Sequence, residues 1–314
     1  MCQLQLKKEN FSFKSSNGID TINGFITRKA EPPYKAVVQI SHGMQEYAER
    51  YEEFISFLAE KGYVVVINDH LGHKSSVSNK DNLGFMAEKD GYKHILNDLA
   101  TISGRVRKNF PELKLILLGH SMGSFYARVF AAKFPHLLDG IIISGTGGKN
   151  KMEAVGKTAI NLAIKLKGPK HRSKFMTKLI FGNFQSKIKN PKTGSDWLSR
   201  DESVVKKYLS DEYCNFMFTL SGYRDLITIN SIANSNQCFE KTKKDIPYFM
   251  FAGDMDPVGE WGNGVKEVYE KYKQFGVKDI ELTLYPDGRH EMLNEVNKEQ
   301  VYSDIANWLE SKIQ

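Results

Sequence analysis

Apolar residues in this chain fall into short unbroken runs, separated by longer stretches where they recur every third or fourth position. Ala36-Val37-Val38-Gln39-Ile40-Ser41 and Tyr63-Val64-Val65-Val66-Ile67-Asn68 read as buried strands, as do the runs at 115–118, 141–144, 248–251 and 280–285. Between the first two, residues 51–61 place Phe54, Ile55, Leu58 and Ala59 at helical spacing, and Gly62 stands where a helix ends. A longer helix is predicted over 89–110, with Ile95, Leu99, Ile102 and Val106 on one face and Pro111 beyond it. Further helices are predicted over 124–134, 264–275 and 296–312. Strands apolar throughout need cover on both sides, so this alternation predicts an α/β fold with a mainly parallel central sheet and helices on both faces.

The rhythm breaks between Gly147 and Gly222. No convincing strand is found there, and apolar residues cluster at Ile160, Leu162, Ile164 and Leu166, then at Phe175, Leu179, Ile180, Phe181 and Phe184. A helical cap is expected, lying over the carboxyl ends of the strands, where α/β sheets keep their sites. The chain then divides into a first core part, 1–146, a cap insertion, 147–222, and a second core part, 223–314. Charge sharpens this division. The net charge is +7, yet residues 147–207 hold fifteen Lys or Arg against Glu153, Asp196, Asp201 and Glu202, which is +11 there and −4 elsewhere. The excess bears on what that region meets, and says nothing of the fold.

Composition excludes several classes. Hydrophobic residues make up 41% of 314, ample for a core, and no run approaches the ~18–20 apolar residues of a membrane span. Residues 1–8 lack the apolar stretch of a secretion signal. Cys2, Cys214 and Cys238 are odd in number and unpatterned, which gives no zinc spacing and no disulfide framework, and fits a reducing cytoplasm. His70 and His73 form an H-x-x-H with no third ligand nearby, and no cofactor or metal is expected. The basic segment lacks interleaved aromatics of an RNA-binding kind, so no nucleic-acid partner is expected. Oligomeric state is not legible.

The chemistry centres on Gly119-His120-Ser121-Met122-Gly123, which follows the apolar run Leu115–Leu118 and precedes a helix-compatible stretch. Strand, G-x-S-x-G, helix is the pattern of a nucleophile elbow: a serine on a sharp turn, flanked by glycines because side chains there would clash. A serine hydroxyl needs a base, and the base needs an orienting carboxylate. His290, in the loop after the last strand run, is the candidate base. Asp256, in the loop after the preceding one, is the candidate acid. Asp254 is two residues nearer that strand, and position alone leaves the two open. His120, inside the elbow, is expected to pack beneath it. An oxyanion needs two backbone donors: the amide of Met122, following the serine, and one near Gly43 or Met44 in the loop after an early strand.

These residues resemble the α/β-hydrolases of the lysophospholipase and monoacylglycerol lipase type. The matching pieces are His42-Gly43-Met44-Gln45-Glu46 with Arg50-Tyr51, Asp69 to Ser75, Gly119 to Ser124, Gly253 to Val258, and His290 to Glu295. The resemblance implies Ser121 as nucleophile, Asp256 and His290 as its partners, and the amides of Met44 and Met122 as the oxyanion hole. Met44 is bulkier than the small residue often found there, which narrows the acyl entrance. Substrate does not carry over with a fold. The expected activity is hydrolysis of a single-chain lipid ester, lysophospholipid or monoacylglycerol. The cap's apolar residues would line an acyl channel, and its lysines would meet anionic headgroups peripherally at a membrane or simply form a solvated face. Alternatives are a short-chain carboxylesterase of broad specificity, an aminopeptidase, and a non-catalytic ligand-binding protein.

Overall fold

The computed structural model describes residues 5–149 and 153–313; Cys2 and Lys151 lie outside the described residues. Eight strands form one sheet: β1 (Leu6–Lys14), β2 (Thr21–Lys29), β3 (Val37–Ser41), β4 (Val64–Asn68), β5 (Leu115–His120), β6 (Gly140–Ser144), β7 (Tyr248–Gly253) and β8 (Ile280–Tyr285), in the order β1-β2-β4-β3-β5-β6-β7-β8. From β4 to β8 the pairing is parallel, and β1 and β2 are antiparallel additions at one edge. The fold is therefore the expected α/β type. The β1–β2 hairpin was not foreseen, because Leu6–Lys14 carries charge and alternates exposed with half-buried positions instead of forming an apolar run.

Successive residues of the parallel strands enter opposite layers. Val37, Leu115, Leu117, Ile141, Ile143 and Met250 pack with α2 (Gly91–Asn109) and α3 (Met122–Lys133). Val38, Ile40, Ile116, Leu118, Ile142 and Phe249 pack instead with α1 (Glu52–Glu60) and the closing helix α10 (Lys298–Ile313). Burial on both sides of the sheet accounts for the unbroken runs in the sequence.

The intervening region is helical, as expected: α4 (Glu153–Lys167), α5 (Lys174–Phe181), α6 (Glu202–Ser210), α7 (Leu220–Ala233) and α8 (Asn236–Lys241), with α9 (Asn263–Gln274) following β7. Residue 222, the expected end of the insertion, lies in the first turn of α7. Arg128 of α3 is wholly buried and ties the two ends of this region together. Its guanidinium donates to Gly147 O at 3.1 Å, Ala233 O at 2.8 Å and Asn234 Oδ1 at 2.9 Å. The apolar clusters divide in two. Ile160 is buried, whereas Leu162, Leu166, Phe175 and Leu179 are more than half exposed. Among the described residues, no helix is long and apolar enough to cross a membrane.

Candidate active site

Strand register brings the chemistry together. Ser41 pairs with Gly119, so the loop leaving β3 lies beside the turn leaving β5. Ser121 sits on that turn with φ 53° and ψ −120°, a strained conformation for a residue with a side chain, and caps α3. The flanking glycines are required by contact. A Cβ on Gly119 would stand 2.3 Å from Gly123 O, and one on Gly123 would stand 1.9 Å from Ser41 O. At the far side of the site Gly253 pairs with Tyr285, and a Cβ on Gly253 would lie 1.9 Å from Gly288 O. The loops carrying Asp256 and His290 are thereby pressed against one another.

His290 Nε2 lies 2.8 Å from Ser121 Oγ, and its Nδ1 lies 2.9 Å from Asp256 Oδ2. Asp256 is fully buried, and its other oxygen accepts the Val258 amide at 2.9 Å. Asp254 is not the carboxylate that His290 meets; its Oδ1 is buried without a hydrogen-bond partner among the described residues. Burial pulls the pKa of His290 down, but the Asp256 carboxylate, with Glu291 and Glu46 nearby, outweighs it and the net shift is upward. An alcohol bonded to an imidazole, itself bonded to a buried carboxylate, is the arrangement that general-base activation of a nucleophile requires.

Met122 opens α3, so its amide belongs to the helix's first turn, where backbone donors lack intrahelical partners. Of the two residues open for the second donor, Gly43 has its amide occupied by Glu46 Oε1, which leaves Met44. Met44 and Met122 both line the cavity that Ser121 faces. The loop is braced by charge that the sequence motifs quoted without explaining. Arg50 lies between two buried acids, 2.5 Å from Glu291 Oε2 and 3.8 Å from Glu46 Oε2, and donates to Cys214 Sγ at 3.4 Å. It therefore links the Met44 loop, the His290 loop and the inserted region. An acid at each end of a buried arginine is the signal that could have marked this brace.

Four other histidines, His42, His70, His73 and His120, are buried near the site and serve the structure. His120 lies 3.1 Å from Ser144 Oγ, and burial holds it at a pKa of about 3. His42 joins the H-x-x-H pair, with ring centroids 4.2 Å from His70 and 5.0 Å from His73. His42 Nε2 accepts the His70 amide at 2.9 Å, and His70 Nε2 meets Ser41 Oγ at 2.9 Å. Burial drives His42 and His73 to about 3, so all three prop the loop after β3 as neutral rings. Among the described residues no group of three or more His, Cys, Asp or Glu is arranged to hold a metal.

Ser121 and His290 open into a cavity of about 820 Å³. Besides Met44 and Met122, its apolar lining includes Phe125, Leu226, Ile227, Pro257, Val258 and Trp261 from outside residues 147–222, and Met176, Leu179, Ile180, Phe181, Phe184 and Trp197 from within them. Asn183, Lys187, Glu260 and Asn263 add polar groups.

The family model described as serine aminopeptidase, S33 (Hydrolase_4), matches residues 32–297. The chain belongs to this family. It is an ester-hydrolysing α/β-hydrolase of the monoacylglycerol lipase type. A monoacylglycerol lipase of Mycolicibacterium smegmatis is 25% identical over 310 residues, covering 98% of each chain. A monoglyceride lipase of Rattus norvegicus is 24% identical over 89% of this chain and 84% of its own. Among solved structures, a thermostable carboxyl esterase from Bacillus coagulans, in complex with glycerol, superposes with a TM-score of 0.91. It is 29% identical to this hydrolase, over 98% of this chain and 99% of that one.

Proposed function

We propose that this hydrolase cleaves carboxylic esters of single-chain lipids, lysophospholipid or monoacylglycerol, through an acyl-enzyme on Ser121. The observation that carries the reading is the hydrogen-bonded chain from Ser121 through His290 to Asp256, opening into a large and mostly apolar cavity. Ser121 Oγ attacks the ester carbonyl carbon as His290 Nε2 takes its proton. The resulting oxyanion lies against the amides of Met44 and Met122, and loss of one such donor costs about 3 kcal/mol. The tetrahedral centre collapses, the ester C–O bond breaks, and His290 returns the proton to the departing alcohol. Water, activated by the same imidazole, then releases the acid.

The inserted region supplies about half of the apolar cavity wall, and each buried CH₂ of an acyl chain contributes about 0.8 kcal/mol. This supports residues 147–222 acting as a cap that selects the acyl group. On its outer surface Leu162, Leu166 and Phe175 are exposed among lysines 157, 165, 167, 174 and 178. An apolar face edged with cations suits an anionic bilayer, at about 1 kcal/mol per basic residue near the surface, and peripheral docking there is part of the proposal.

A second reading, a carboxylesterase of broad specificity, is favoured by the 29% identity to the Bacillus coagulans carboxyl esterase. An aminopeptidase would need free carboxylates for the substrate ammonium. Of the three acids in the cavity wall among the described residues, Glu46 and Glu291 are already held by Arg50, which leaves Glu260 alone to meet that ammonium. The purified protein, with Ser121→Ala as control, is assayed on p-nitrophenyl esters of graded length and on monoacylglycerol and lysophospholipid. Rising kcat/KM with acyl length supports the lipid reading; a maximum at acetate or butyrate refutes it in favour of the esterase.

A further inference from the structure

The inserted region does more than line the cavity. Residues 196–200 run alongside the loop of His290 and are fastened to it by backbone and side-chain bonds. The His290 amide donates to Trp197 O at 3.2 Å, and the Glu291 amide donates to Leu198 O at 2.7 Å. Arg289 Nη1 donates to Asp196 O at 2.6 Å and Ser199 O at 2.9 Å. Arg200 holds Glu295, amide and Nε each at 3.0 Å. This strap delivers one large side chain to the reacting centre. The Trp197 indole lies 5.0 Å from the His290 ring, at 41°, while His120 lies 4.8 Å from that ring at 45°. Phe184 packs against the indole edge-on at 4.8 Å, and Phe181 stacks on it at 6.2 Å.

We propose that Trp197 is a positioning residue of the inserted region, whose indole holds His290 in line with Ser121 and stabilises the imidazolium formed during catalysis. The inference rests on the reading of Ser121 and His290 given above. In acylation the serine proton passes to His290 Nε2 as the new C–O bond forms, so a cation appears at the ring and persists until the leaving oxygen takes that proton. An aromatic face within about 6 Å attracts such a cation, most strongly where water is excluded. Other groups face this ring as well, and burial raises the pKa of one of them, Glu46. Asp256 lies at Nδ1, Glu291 adjoins in sequence, Glu46 approaches from the loop after β3, Arg50 bridges the two glutamates, and His120 is neutral. Trp197 contributes a π face with no net charge. Its contribution is therefore separable from that of the acids.

The test compares Trp197→Leu, apolar but without a π face, with Trp197→Phe, which restores one. The readout is the acid limb of kcat/KM against pH, where activity follows the neutral form of His290. Loss of the face destabilises the charged ring, so the limb in Trp197→Leu moves to lower pH by about 0.5–1 unit. The same variant loses roughly 5- to 30-fold in kcat, and Trp197→Phe recovers most of both. A folded Trp197→Leu protein with an unmoved limb overturns the proposal. Should that variant unfold, enzyme carrying fluorinated tryptophans takes its place, because fluorine weakens the π face without changing shape; Trp261, another tryptophan of the cavity wall, is replaced by phenylalanine in this background. The limb then moves down stepwise with fluorine number, and an invariant limb overturns the proposal. Fluorophosphonate labelling of the wild type, lost in Ser121→Ala, is measured in parallel. If it fails, the reading of Ser121 falls whatever the tryptophan variants do.

Discussion

Exchanging the carboxylate behind His290 for an amide tests the proposed site at its most buried point. Asp256→Asn keeps the shape and the Val258 amide contact, but removes a charge 2.9 Å from Nδ1 in a position with no solvent exposure. When His290 takes the serine proton, its new charge loses an opposite charge at about 4 Å. With an effective dielectric near 20 that attraction is about 4 kcal/mol, a factor of roughly 10³ in rate. The new amide can also present N–H to Nδ1 and favour the wrong tautomer, which extends the expected loss in kcat to 10³–10⁴-fold. Asp254→Asn, changing a carboxylate that does not meet His290, is expected to leave kcat within about threefold. The assay is the initial rate on a p-nitrophenyl ester, with the rate of fluorophosphonate labelling beside it. Neighbouring acids raise the His290 pKa in the wild type, so the acid limb of the Asp256→Asn profile should also lie at lower pH. Near-wild-type turnover in folded Asp256→Asn, or collapse of activity in Asp254→Asn, would refute the assignment.

Three further outcomes are expected. In Gly123→Ala the added methyl would stand 1.9 Å from Ser41 O, so the elbow must shift; labelling should fall at least about 100-fold while thermal melting shows a loss of about 1–3 kcal/mol. Asp225 is buried on α7, and burial pushes its carboxyl up to about 7 despite Arg224 and the amides of Tyr92 and Gly91. Because the folded pKa is the higher one, the contribution of this carboxyl to stability is fully present below about pH 4 and is lost as pH rises through 7. Asp225→Asn should abolish that loss, of order 2–4 kcal/mol, in melts at pH 5 and pH 8, and equal pH slopes in both proteins would contradict it. Replacing Leu166 and Phe175 together by serine should reduce co-sedimentation with anionic vesicles several-fold while leaving hydrolysis of a soluble short ester unchanged; undiminished vesicle binding would remove this face from the proposal.

The parallel core and the elbow were legible in the sequence because each depends on local chemistry. Strands buried on two faces must be apolar at every position, as at Val64–Ile67, and a serine on a strained turn needs glycines where Gly119 and Gly123 stand. The family resemblance named Asp256 over Asp254, yet spacing alone could not, because the two differ by two residues in one loop. The choice is made where Gly253 presses on Gly288 and fixes which carboxylate reaches Nδ1. In the same way, only the fold shows that Glu46 occupies the Gly43 amide and so removes it as the second donor. The apolar residues of the insertion could be counted from the chain, but not sorted. Ile160 is buried, Ile180 lines the cavity and Leu166 faces outward, according to helix rotation and docking. Trp197 lies 93 positions before His290 and carries no motif. Its place beside the imidazole depends on contacts between distant segments, and those are decided only when the whole chain has packed.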